Sequence, residues 1–76
     1  MYVRDRVALE ELERIERKES NAKRARRLRI VILAMQGWTA PAIAMSTGLS
    51  RRACQDWVRR FNEAGLRGLE DRVWSK

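Results

Sequence analysis

The sequence predicts an all-α domain, a small helical bundle of about four helices. Three observations carry this expectation. Apolar residues recur at intervals of three and four, and no stretch alternates with the period of two that marks a strand. Capping residues or a glycine stand where one periodic stretch would stop and the next begin. The 76 residues, 45% apolar and 36% charged, suit a single folded domain with a small core and much of its surface in water.

The first helix is expected from about Arg6 to Glu19. Ala8, Leu12 and Ile15 recur at helical spacing, and the pairs Glu10/Arg14 and Glu13/Arg17 place acid four residues before base, the favourable order. Its charged side reads as a solvated face. Ser20 and Asn21 then offer caps for a second helix, about Ala22 to Gln36, with an apolar stripe of Ala25, Leu28, Val31, Ile32 and Met35 and a stop at Gly37. Lys23, Arg24, Arg26, Arg27 and Arg29 wrap around its first half. Because they spread around the helix, solvation is the plainer reading, with phosphate contact by some of them as the alternative.

Thr39 caps a short third helix through about Ser46, with Pro41 in the first turn, where a missing N–H costs little. Gly48 supplies a residue able to take positive φ, and Ser50 is a second cap. A fourth helix is expected from about Arg51 to Ala64, ended by Gly65. The remainder, "GLRGLEDRVWSK", reads as an irregular tail anchored by Leu66 and Leu69. The expected organisation is a charged amphipathic helix over residues 1–20, a core over 21–69 and a tail over 70–76.

The net charge is +7 and the chain has no histidine, so this charge is fixed across ordinary pH. Its distribution is uneven. Residues 1–20 hold five basic and six acidic side chains, whereas residues 21–76 hold twelve and four. A compact, arginine-rich domain of this kind should attract a polyanion, through release of condensed counterions if the partner is nucleic acid. One cysteine makes no internal disulfide, and neither a histidine nor a second cysteine completes a zinc set. No metal or cofactor is therefore expected. The N-terminus lacks the apolar run of a signal peptide, and no stretch approaches the roughly 20 apolar residues of a membrane span. The expectation is a cytoplasmic protein, nucleoid-associated if bacterial, with no membrane partner.

On a wheel at roughly 100° per residue, Cys54, Trp57, Val58 and Phe61 share one arc of the fourth helix and should face the core. Arg52, Gln55, Asp56 and Arg59 lie on the far side, with Arg51 at its edge. A short helix, a glycine turn and a longer helix opening on arginines form a helix-turn-helix arrangement of homeodomain-like kind, in which the second helix enters the DNA major groove. The spacing agrees throughout. Counting from Ala40, the small Ala44 falls where the two helices approach, Gly48 falls at the turn, and Ile43, Leu49, Cys54 and Trp57 fall at core positions.

The expected partner is double-stranded DNA, and Arg51, Arg52, Gln55, Asp56 and Arg59 are the residues expected at its base edges. Arginine can donate two hydrogen bonds to guanine and glutamine can pair with adenine. Asp56 can accept from cytosine, but orienting a neighbouring arginine is its plainer role. Thr39, Ser50 and Arg60 are the expected phosphate contacts, the first two at helix starts whose dipole favours anions. Capping alone would also account for Thr39 and Ser50.

The run "GWTAPAIAMSTGLSRRACQDWVRRFNEAGLRGLEDR", with "RRLRIVILAMQ" before it, places a tryptophan in the fourth helix and then Arg60-Phe61, Glu63, Gly65-Leu66, Gly68-Leu69 and Asp71-Arg72. Over about residues 22 to 72 this resembles the N-terminal DNA-binding region of mariner-type insertion-sequence transposases and related paired-like helix-turn-helix proteins. The resemblance implies binding to the terminal inverted repeats of a mobile element. In that family a separate downstream domain with three carboxylates and divalent metal cuts and joins the DNA. Two departures stand out: Val73 and Trp74 stand where the family commonly continues through proline and arginine, and the catalytic domain is absent. The expectation is thus the binding module of a longer transposase, or a self-standing small transcriptional regulator. Cys54 stands where the family favours a β-branched aliphatic, and a buried cysteine is a reasonable small apolar replacement.

Two other classes compete. An enzyme needs a base or a metal set, yet histidine is absent, the thiol is expected to be buried, and the first helix's carboxylates alternate with arginines. No catalysis is expected from this chain. A protein-interaction module could use the first helix, Tyr2, Trp38 and Trp74. Trp38 reads better as a cover for the core, and Trp74 as the contact for a partner or for a second copy in a homodimer that reads two half-sites.

Overall fold

One helix forms the post of the bundle, and the others are arranged around it. The computed structural model describes Val3 and residues 7–70. Within them are α1 (Leu9–Lys18), α2 (Ala22–Met35), α3 (Ala40–Thr47), α4 (Arg51–Ala64) and a closing 3-10 helix (Gly65–Leu69). The expected all-α bundle is what forms. Expectations placed on Tyr2, Arg6, Trp74 and the chain beyond Glu70 lie outside the described residues.

α2 is the post. Its second half buries Leu28, Ile30, Val31, Ile32, Leu33 and Ala34, where the sequence suggested a single stripe. The reason is that α2 has a neighbour on each side. Leu28, Val31 and Ile32 join Leu12 of α1, Phe61 of α4 and Leu69 in one cluster, while Ile30, Leu33 and Ala34 join Ile43 of α3 with Cys54 and Val58 of α4 in another. Trp57 borders both. Each large side chain removed from water contributes on the order of 1.5–3 kcal/mol. Burial on both faces is what a chain this short needs.

α1 starts at Leu9, because Ala8 is extended (φ −64°, ψ 149°) and offers no side-chain cap. Glu10 and Glu11 in the first turn and Arg17 and Lys18 in the last suit the helix dipole. Arg14 pairs with Glu11 at 3.1 Å, three residues before it, instead of with Glu10. The caps of the next three helices fall where expected. Asn21 accepts from the Arg24 N–H, Thr39 from Ala42 and Ser50 from Ala53.

Two expectations are corrected. Trp38 does not cover the core but stands 40% exposed just past the end of α2, its N–H donating to the Leu33 carbonyl. The stretch after α4 is not irregular either: it winds into the 3-10 helix that drives Leu69 fully into the core, with Leu66 partly buried beside it. Gly68 permits this docking. A Cβ there would overlap the Arg60 carbonyl of α4, so only glycine allows the two backbones to approach.

Candidate nucleic-acid interface

The turn between α3 and α4 sets the direction of everything exposed on α4. Gly48 is left-handed (φ 79°, ψ 9°) and returns its N–H to the Ala44 carbonyl at 2.9 Å. Thr47 fixes the corner from inside. Its hydroxyl donates to the Ile43 carbonyl at 2.8 Å, lies 3.4 Å from the Leu49 N–H that it accepts, and approaches Cys54 Sγ at 3.9 Å. Sequence reasoning passed over Thr47, whose signal was only a threonine one residue before a glycine. Ile43, Leu49 and Ala44 pack on the same buried cluster as Cys54. α3 and α4 are therefore held as one unit.

With Cys54, Val58 and Phe61 buried, the opposite side of α4 faces out. Arg51, Arg52, Gln55 and Arg59 are exposed, and Asp56 is half-buried among them. Arg51, Arg52, Gln55 and Asp56 line one concavity together with Ala40 and Pro41 from the start of α3. Arg51, Arg52 and Gln55 have no ion pair or side-chain hydrogen bond among the described residues. Arg59 Nη2 lies 3.7 Å from Asp56 Oδ1, a loose ion pair at a wet surface, longer than a hydrogen bond.

Thr39 and Ser50 are exposed at the starts of α3 and α4. Each oxygen accepts one backbone N–H as a cap, which leaves the hydroxyl proton to donate outward, so capping and phosphate contact are compatible. Arg60 sits apart from them. It is half-buried, with its guanidinium over the Trp57 ring at 4.8 Å from the centroid, and Arg27 of α2 lies over the same ring at 4.4 Å. Arg27 also donates to the Leu69 carbonyl at 3.1 Å, which ties α2, α4 and the 3-10 helix together at Trp57. Cys54 is fully buried. Among the described residues no group of three or more histidines, cysteines or carboxylates could hold a metal, and no helix is long and apolar enough to cross a membrane.

A short capped helix, a left-handed glycine turn and a second helix with an arginine-bearing outer face define a helix-turn-helix protein, the class that uses its second helix on DNA. A family model described as a helix-turn-helix domain matches residues 26–76, more than half of the chain. The protein belongs to that helix-turn-helix family. No curated protein and no solved structure matches it.

Proposed function

We propose that this chain binds double-stranded DNA with a sequence preference, the first turns of α4 lying in the major groove. One observation carries the reading. Arg51, Arg52 and Gln55 stand on a single exposed wall without intramolecular partners among the described residues, on a helix whose other side is locked into the core. Groups that can donate to guanine or pair with adenine are thus held ready on a rigid element. Selection of bound duplexes from a random pool tests this. A shared motif should emerge, and affinity for it should fall steeply with salt. Equal binding to every duplex, removed by heparin, would overturn the reading.

Within that function, recognition of a mobile element's terminal repeats is the use we favour, supported by the Arg60-Phe61, Glu63, Gly65-Leu66, Gly68-Leu69 pattern. Val73 and Trp74 in place of a proline-arginine continuation support the second reading, a transcriptional regulator acting as a homodimer. The symmetry of the selected site separates them. A palindrome points to two copies of a regulator, and a single asymmetric sequence points to an element end.

The chain is read as non-catalytic. Cys54, its one thiol, is fully buried and serves as packing. A thiol reagent should label the folded protein slowly and the denatured protein quickly. Rapid labelling of the folded form would reopen a chemical role for this residue.

A further inference from the structure

The basic run that opens α2 is not used by the reading of α4. Its five cations divide by environment. Arg24 pairs with Glu19 at 3.3 Å and with Glu70 at 3.7 Å, and Arg29 pairs with Glu16 at 2.9 Å. Lys23 and Arg26 are exposed and have no ion pair or side-chain hydrogen bond among the described residues. Together with Arg27 they line a concavity of about 260 Å³ closed by Leu49 and Trp57, with no carboxylate among the described residues of its lining. Arg26 also borders a neighbouring hollow, where Glu16 is already held by Arg29.

The placement follows from the helix itself. At roughly 100° per residue, Lys23, Arg26, Arg27 and Ile30 fall on one stripe. Ile30 is fully buried with Ile43, Cys54 and Val58. The face of α2 that packs on α3 and α4 therefore turns basic toward its start, beside Leu49, which leads into α4.

We propose that this concavity seats a backbone phosphate of the same duplex that α4 reads, with Lys23 and Arg26 as its direct partners. The inference rests on the major-groove reading of α4. Lys23 and Arg26, which meet no acid among the described residues, repel one another, and a phosphate relieves that repulsion through charge-assisted hydrogen bonds while releasing counterions. Arg27, stacked on Trp57 and bonded to Leu69, holds the wall in place. The seat lies on the Trp57 flank of α4, whereas Ala40 and Pro41 stand on its Gln55 flank. A phosphate fixed there sets the register of α4 in the groove without reading any base.

The test compares Lys23→Ala/Arg26→Ala with a control of equal charge loss on α1, Arg14→Ala/Arg17→Ala. Both are titrated across a salt series on the selected duplex and on a random one. The α2 variant should flatten the slope of log K against log salt by about 0.9 for each phosphate that the protein no longer neutralises. Its affinity should fall by the same factor on both duplexes, and the control should keep the wild-type slope. A melting curve checks folding, and Lys23→Gln/Arg26→Gln repeats the measurement if alanine lowers the melting temperature.

Single methylphosphonate replacements in the selected duplex should reveal one position that weakens the wild type and leaves the α2 variant unaffected. An unchanged slope, or an equal loss in the α1 control, overturns the seat and leaves the reading of α4 standing. Binding of inorganic phosphate by the wild type, with no methylphosphonate-sensitive position, overturns it in favour of a free anion. A wild type without any preferred duplex removes the α4 reading and the seat with it.

Discussion

α1 and α4 are both amphipathic helices with charged outer faces, and both rest on a fully buried side chain, Leu12 in one and Phe61 in the other. Their charges are treated differently. Glu11 of α1 is held by Arg14, Glu16 by Arg29, and Glu19 at the end of the helix by Arg24. On α4 the first-turn arginines, Arg51 and Arg52, have no such partner among the described residues. A charged helix face is thus no indication of a binding face. What distinguishes α4 is that Arg51 and Arg52 stand with Gln55 on one exposed wall of a helix whose other side is locked into the core.

The comparison can be broken most severely at the two anchors. Phe61→Ala should cost about 3–5 kcal/mol and unfold a domain this small, because it empties the cluster shared by α1, α2 and the 3-10 helix. Leu12→Ala should cost about 2–5 kcal/mol. If α1 is a brace for α2 and not part of the binding face, a Leu12→Ala protein refolded with stabilising osmolyte should keep its DNA preference. Denaturant melts and binding assays in parallel would settle both points.

A smaller effect separates the two charged faces directly. Arg52→Ala should lose about 1–3 kcal/mol on the preferred duplex and relax the preference at particular bases. Arg14→Ala on α1 should change binding by a few tenths at most, since exposed pairs contribute little. Equal loss on all duplexes in the Arg52 variant would reassign that residue to phosphate. The smallest change concerns the helix start. Ser50→Ala should lower stability by about 1 kcal/mol through the missing cap. Any drop in DNA affinity beyond what the melting curve explains would measure the outward hydroxyl.

Much of the candidate site was legible because it is local. Gly48, Ser50 and the wheel of α4 depend only on neighbours in the chain, and they placed Cys54 inward and Arg51, Arg52 and Gln55 outward, as found. Trp38 was misplaced because its position depends on where the chain goes after α2, not on helical period. Among the cations of α2, periodicity could not distinguish Arg24, which meets Glu70, from Lys23, which meets no acid among the described residues.

The sequence by itself determined four helices, their caps, the left-handed corner and the two sides of α4, since each follows from a 3.6-residue period or from a hydrogen bond closed within a few residues. The tertiary structure decided the rest. That α2 is buried on both sides, that Gly68 lets Leu69 reach the core, and that Arg27 bonds a carbonyl 42 residues later in the chain are matters of packing between distant segments. Which cations remain unneutralised was decided there too, because a salt bridge forms with whatever acid the fold brings near.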